Sequence, residues 1–175
     1  MPIYAYAGHK PEISEKAFVH PQAVIMGDIS IGPYCYIAAG AVLRGDFGKI
    51  IIGKGSNVQE NAIIHAKPET VADIREQVLI AHGAIVHGPC IIKAHAGIGM
   101  GGIVAPDCIM EESSFLTAES LLKSKTIVAS KMLAVGRPAV IKKELSPRVV
   151  ELNRQSVANY MRLSQEIKKD LILLS

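Results

Sequence analysis

An aliphatic residue recurs at every sixth position through most of this 175-residue chain. Stepping by six residues from Ile80 to Ala134 meets Val, Ile or Leu at eight of ten positions without an insertion. The same step runs from Val19 to Leu43, and the residue four positions after each aliphatic is usually small. A fixed short period indicates a solenoid, in which stacked repeats bury a continuous core. The repeat therefore predicts an all-β solenoid whose triangular coils each contain three short strands.

The cysteines follow the same frame, since all three occupy the position reserved for small residues: Cys35, Cys90 and Cys108. We expect them to be small buried hydrophobes rather than metal ligands. Their odd number and the absence of a CxxC spacing fit a reducing compartment and predict no disulfide framework.

The frame also predicts the organisation of the chain as a single domain, residues 1–175, with the repeat over residues 19–140. The charged insertion Lys67–Gln77 lengthens one coil. The period changes after Gly136-Arg137-Pro138-Ala139, and Ser146 followed by Pro147 suits the start of a helix, which we expect over residues 146–172. Residues 1–18 are expected to cover one open end of the solenoid.

Composition excludes several classes of function. No apolar run approaches the length of a membrane span, and the N-terminus lacks a signal-peptide pattern. The net charge of +3 is too small to indicate a nucleic-acid partner. We therefore predict a cytoplasmic protein without a membrane or nucleic-acid partner. Basic residues are concentrated in residues 123–175, which form either a solvated helix face or a segment that attracts a phosphorylated ligand such as an acyl-CoA.

The repeat frame also predicts which histidines can meet. It places Arg44, His65 and His87 in one outward-facing column, on successive coils. Two imidazoles one strand spacing apart can bind a single metal ion. His82 lies near a corner on the adjoining side, from which it can reach only the ion of a neighbouring chain. The frame thus predicts a three-histidine metal site at the subunit interface of a three-fold oligomer, whereas His9 and the remaining histidines have no partner in the column.

Three neutral imidazoles leave a fourth coordination position open, as a catalytic zinc requires. Such an ion lowers the pKa of a bound water and provides hydroxide near neutral pH.

Several motifs together resemble the γ-class carbonic anhydrase family: Leu43-Arg44-Gly45-Asp46, Asn57-Val58-Gln59-Glu60-Asn61, Ile64-His65 and His82-xxxx-His87-Gly88. The segment Arg44–Gly48 is most similar to the branch found among phenylacetate-degradation and carnitine-operon proteins. The resemblance implies a left-handed parallel β-helix with a C-terminal α-helix, assembled as a homotrimer. It also implies Zn²⁺, or alternatively Fe²⁺ or Co²⁺, held between subunits.

The resemblance also implies roles for individual residues. His65 and His87 of one chain and His82 of the next would bind the metal, and Arg44 and Asp46 would form an ion pair at the interface. Other residues would contact the metal-bound water or bicarbonate, or would assist from nearby positions: Asn57, Gln59, Glu60 (where the family commonly has Asp) and Tyr160.

The chain departs from the family at two positions. Phe47 and Pro68 stand where well-studied members carry glutamates associated with proton transfer. Without such a group, proton removal limits turnover. Glu69 is adjacent to Pro68 and is the candidate replacement.

Four functions follow from these observations. The first is a carbonic anhydrase-like hydratase, in which metal-bound hydroxide attacks CO₂ to give bicarbonate. The second is an acyl-CoA thioesterase that uses the same metal site. A hexapeptide acyltransferase with a histidine general base is the third, and it leaves the coincidence of three histidines unexplained. The fourth is a non-catalytic trimeric metal-binding protein.

Overall fold

The six-residue period folds into a left-handed parallel β-helix, as predicted, followed by one C-terminal helix. The structure is a computed structural model that describes residues 2–174. The β-helix has about seven turns. The first turn begins before the predicted repeat of residues 19–140, because Ile3–Tyr4 and Glu12–Ile13 pair in parallel with the strand Val24–Ile31. This segment forms a coil of its own instead of covering the end of the solenoid.

The elements are, in chain order, β1 (Ile3–Tyr4), β2 (Glu12–Ile13), β3 (Phe18–Val19), β4 (Val24–Ile31), β5 (Tyr36–Ile37), β6 (Val42–Ile52), β7 (Asn57–Val58), β8 (Ile63–Ala66), β9 (Val71–Ile74), β10 (Leu79–Ile80), β11 (Ile85–Gly88), β12 (Cys90–Ile92), β13 (Gly97–Ile98), β14 (Ile103–Val104), β15 (Cys108–Met110), β16 (Phe115–Leu116), β17 (Leu121–Leu122), β18 (Ile127–Val128), β19 (Met132–Gly136), β20 (Ala139–Glu144) and α1 (Pro147–Asp170).

The strands form three faces of a prism. Face A consists of β1, the first halves of β4 and β6, and β8, β11, β14 and β17. Face B consists of β2, the second halves of β4 and β6, and β9, β12, β15 and β18. Face C contains β3, β5, β7, β10, β13, β16, β19 and β20. The long strands β4 and β6 bend around the corner between faces A and B, and the register of their pairing shifts between Gly27 and Ile29.

The interior is a stack of aliphatic layers. Most strands point an aliphatic side chain inward, and on face A these residues are completely buried from the second coil onward: Ile25, Leu43, Ile64, Val86, Val104 and Leu122. Because the strands pair in parallel and in register, each inward side chain lies directly above its equivalent in the preceding coil. This dry core is the main source of stability, since burial contributes about 25 cal/mol per Å² of apolar surface.

The cysteines fill corners of this core, as predicted. All three are buried and unpaired, and burial raises the pKa of Cys35 and of Cys90 to about 12. The Cys35 thiol donates a hydrogen bond to the carbonyl of Gly53, at 3.1 Å. Neutral thiols of this kind are inert packing groups.

The C-terminal part leaves the repeat where the sequence predicts. Strand β20 pairs with β19 in the antiparallel sense, which ends the parallel stack. Helix α1 then runs back along face C, where Val157 packs against Leu79 and Ala81. Ser146 occupies the N-cap position, but its side chain makes no capping hydrogen bond. Among residues 2–174, no helix combines the length and the apolar composition that crossing a membrane requires.

Removing one inward aliphatic side chain tests the layered core. We expect Ile98→Ala to lower the free energy of unfolding by about 2–5 kcal/mol, because the closely packed layers cannot collapse into the cavity. Ile127→Ala is the matched control, since Ile127 points outward and is 59% exposed. Its change should stay within about 0.5 kcal/mol. Chemical denaturation measures both, and equal losses would contradict the assignment of inward and outward positions.

Candidate metal centre

Two of the predicted ligands stack on face A. The strand register pairs Arg44 with His65 and His65 with His87, so the three side chains form the expected outward column. The imidazole rings of His65 and His87 lie nearly parallel, with ring centroids 5.3 Å apart and an interplanar angle of 13°. This arrangement results from backbone pairing alone, because each ring projects from the same position on adjacent strands.

Asp46 links the column into one network. Arg44 Nη1 donates a hydrogen bond to Asp46 Oδ2 at 2.6 Å, and His65 Nε2 donates to Asp46 Oδ1 at 3.0 Å. Partial burial raises the pKa of the Asp46 carboxyl, but the hydrogen bonds from Arg44 and His65 and the Arg44 charge outweigh it and hold the pKa below its ordinary value. Asp46 is therefore a stable anion. The resemblance implies that this ion pair lies at a subunit interface, and the structure forms it within one chain.

A glycine makes this geometry possible. Gly45 lies at the bend of β6, and a Cβ added there would lie 2.6 Å from the carbonyl oxygen of Asp28 on the preceding coil. A larger residue would push the two coils apart and displace the flanking Arg44 and Asp46.

His87 is disposed to stay neutral. Burial lowers its imidazole pKa, and electrostatic repulsion from His65, Lys67 and Arg44 lowers it further. A neutral imidazole is the form that binds a metal ion.

An aromatic side chain borders the column, which sequence reasoning did not predict. The ring centroid of Phe47 lies 5.7 Å from that of His65, and the guanidinium carbon of Arg44 lies 5.9 Å from the Phe47 centroid. Phe47 is exposed on its other side. No periodicity marks this contact, because it arises from the bend at Gly45 rather than from the repeat.

His82 lies on the corner between faces C and A, in the turn that joins β10 to β11. Its Nδ1 is 2.5 Å from Glu60 Oε2 on the preceding coil, which leaves Nε2 free, and about half of the side chain is exposed. The Glu60–His82 pair has a sequence signal, because their separation of 22 residues equals one coil of eighteen plus the four inserted residues.

Asn57 and Gln59 lie on face C, apart from His65 and His87. Both side chains are buried, and Gln59 Nε2 donates a hydrogen bond to Asn57 Oδ1 at 2.9 Å. Tyr160 reaches this region from α1 and packs against Tyr36, with ring centroids 5.3 Å apart. Burial raises the pKa of Tyr160, and the charge of Glu60 raises it further. Asn57, Gln59 and Tyr160 therefore lie on the side of the candidate site that contains Glu60 and His82.

Glu69 lies near the other group of candidate residues, which contains Asp46 and His65. Its backbone N–H donates to the carbonyl of Phe47 at 3.1 Å. Glu69, Phe47 and Asp46 line a common cleft of about 320 Å³, which His9 also lines. Pro68 lies in the same turn.

The side chains that could bind zinc lie in two separate groups. Within residues 2–174, no three His, Cys, Asp or Glu side chains of one chain converge on a single point. The candidate ligands instead form two groups, which we call the two halves of the candidate site. In each half a carboxylate holds one nitrogen of a histidine, Asp46 on His65 and Glu60 on His82, and the other nitrogen stays free. Carboxylates orient metal-binding histidines in this way.

Comparisons with known proteins agree with the fold. Residues 10–45 match the family described as bacterial transferase hexapeptide (six repeats). The solved structure of a hexapeptide transferase family protein from Anaplasma phagocytophilum is 39% identical, with a TM-score of 0.89, and the match covers 94% of this chain and 97% of that one. A putative acetyltransferase from Bacillus cereus is 32% identical, with a TM-score of 0.92, over 95% and 96% of the two chains.

Carnitine operon protein CaiE of Salmonella agona is 34% identical over 164 residues, which cover 94% of this chain and 82% of that protein. The CaiE protein of Escherichia coli K12 is also 34% identical, over 93% of this chain and 83% of the relative. Identity at this level over nearly the whole chain shows that it belongs to the hexapeptide-repeat family that includes carnitine operon protein CaiE.

Proposed function

We propose that this protein is a metal-dependent hydratase of the carbonic anhydrase type, which converts CO₂ and water into bicarbonate and a proton. The observation that carries the proposal is the stacked pair of His65 and His87, in which Nε2 of His65 is hydrogen-bonded to Asp46. His82 of a neighbouring copy completes the ligand set in a homotrimer. Zn²⁺ is the metal that the ligand set favours, with Fe²⁺ or Co²⁺ as alternatives.

The metal, when bound, supplies a nucleophile at neutral pH because it lowers the pKa of water. The chain's own residues prepare the site. Asp46 fixes the ring orientation and the tautomer of His65, and Arg44 keeps Asp46 ionised. Glu60 does the same for His82. Asn57 acts as a positioning residue, because its side chain holds the amide of Gln59.

Each turnover releases one proton, and Glu69 is the group that we assign to remove it. Phe47 has no proton to exchange, and Pro68 has no side-chain acid. Glu69 is the carboxylate of the turn after β8 and shares the cleft with Asp46. Its carboxylate accepts the proton and passes it to bulk water or buffer.

Acyl transfer or thioester hydrolysis at the same centre is the second candidate. It is favoured by the similarity to the solved structure described as a putative acetyltransferase. Phe47 also gives the histidine column an apolar border that CO₂ does not need. The basic residues of segment 123–175 would attract the phosphates of an acyl-CoA.

Zinc content tests the shared site. We expect one zinc per chain in the wild type and a loss of zinc in His82→Ala, although His82 lies on a different face from the other two ligands. Asp46→Asn should weaken zinc binding by about 10–100-fold, because it removes the partner that orients His65. His20→Ala is the control, since His20 follows β3 on face C, where its Nδ1 accepts a hydrogen bond from the N–H of Gln22. Full zinc occupancy in His82→Ala, measured by atomic absorption, would refute the shared site.

Stopped-flow CO₂ hydration tests the reaction on protein of known zinc content. We expect activity that requires zinc and disappears in His87→Ala. Zinc-loaded wild type without hydration activity would overturn the hydratase proposal. A panel of acyl-CoA thioesters on the same preparation would then test the second candidate.

Buffer dependence tests the role of Glu69. We expect Glu69→Gln to slow hydration roughly a hundredfold at low buffer concentration, because proton removal then lacks its carboxylate. Concentrated imidazole buffer should restore the rate by taking the proton directly. Glu76→Gln, in the next turn of the same insertion, should behave as wild type. A loss that is equal at every buffer concentration would contradict a proton-transfer role.

A further inference from the structure

The corner between faces C and A forms a continuous ridge that includes Glu60, His82 and Met100. The backbone aligns these residues on successive coils, because the carbonyls of Glu60 and His82 accept hydrogen bonds from the N–H groups of Gly83 and Gly101, both at 2.9 Å. Met100 has glycines on both sides, and it is 55% exposed. An exposed methionine on a glycine-flanked turn gains nothing within its own chain, and methionine is enriched in protein interfaces.

Face A carries an aliphatic stripe beside the histidine column. Strand register places Ile63, Ile85 and Ile103 at equivalent positions on β8, β11 and β14. Ile63 and Ile85 lie two residues before His65 and His87 and are 41% and 38% exposed. Neighbouring exposed aliphatic residues on one face mark an interaction surface.

Symmetry relates the ridge to the stripe. Rotation about a three-fold axis parallel to the solenoid leaves the height of every residue unchanged, and successive coils differ in height by about 4.8 Å. His82 follows His65 and precedes His87 along the chain, so its height lies between theirs. By the same reasoning, the height of Met100 lies between those of Ile85 and Ile103, since it follows β11 and precedes β14.

The third ridge residue has a matching partner as well. Glu60 follows Arg44 and precedes His65 along the chain, so its height lies between theirs. Arg44 donates to Asp46 through Nη1, and its side chain remains 42% exposed. At matching heights the ridge carries a carboxylate, an imidazole and a thioether, and face A carries a guanidinium, two imidazoles and two isoleucines. Chemical complementarity at three successive heights argues for a second copy of this chain as the occupant.

We propose that Met100 is the apolar anchor by which the ridge of one copy binds the isoleucine stripe of the next, between Ile85 and Ile103. This inference rests on the proposed function, because it assumes that three copies share their metal sites. It adds an interface that exists without metal. In this arrangement the contact at Met100 holds the neighbouring His82 in register with His65 and His87.

Molecular mass in solution tests the anchor. The wild type, treated with EDTA and measured by sedimentation at micromolar concentration, should have three times the chain mass of 18.7 kDa. Met100→Glu should lose the trimer, because its carboxylate would be buried among aliphatic side chains. Met100→Leu should keep the trimer. Ile127→Glu, an equally exposed aliphatic position on face B, is the matched control and should also stay trimeric.

A second variant guards against misfolding. Circular dichroism checks that Met100→Glu keeps its β-structure, and Ile85→Lys combined with Met100→Glu should restore the trimer through a new ion pair between copies. A trimeric wild type whose Met100→Glu variant is also trimeric would refute the anchor and leave the shared metal site intact. A monomeric, zinc-binding wild type would overturn both the anchor and the shared site.

Discussion

The ladder of parallel backbone hydrogen bonds between coils is the constraint on which the rest of this structure depends. It holds every coil at the same rotation and at a fixed spacing from the next. Inward positions thereby become aliphatic layers, and outward positions become columns. The stacking of His65 on His87 needs no dedicated packing partner, because it is a direct consequence of strand register. A candidate metal pair has thus been built by placing the same residue type at one position of two consecutive repeats.

The repeat predicts much of this architecture because it encodes a periodic structure. The inward aliphatic residues, the corner cysteines and the column of Arg44, His65 and His87 all follow from counting in sixes and coils. The start of α1 at Pro147 follows from the change of period. Prediction is weaker where the chain departs from the period. The first coil was missed because residues 3–19 contain a long turn between β1 and β2 that hides the six-residue step.

In the candidate site, too, the features that follow the repeat were predicted and those that depart from it were not. The frame predicts the places of His65, His87 and His82, and the resemblance implies the Arg44–Asp46 ion pair. The contacts of Asp46 with His65 and of Glu60 with His82 were not predicted. Phe47 lies against His65 only because the chain bends at Gly45, and the bend depends on a close approach to Asp28 that no pattern in one sequence reveals. The burial of Asn57 against Gln59 depends on side chains from two positions of one strand and its turn. Such contacts arise from local geometry rather than from spacing, so sequence alone indicates the residues without their arrangement.

The antiparallel strand β20 has a consequence for how far this architecture can grow. A parallel β-helix presents unpaired backbone groups at each end, and such edges template the addition of further strands from other molecules. Here the last coil turns back on itself, and the returning strand carries Lys142, Lys143 and Glu144 with their side chains exposed. Charged residues on a reversed strand deter end-to-end joining. Joining at this end is thereby disfavoured, which leaves the sides of the solenoid as the surfaces on which a second copy can bind.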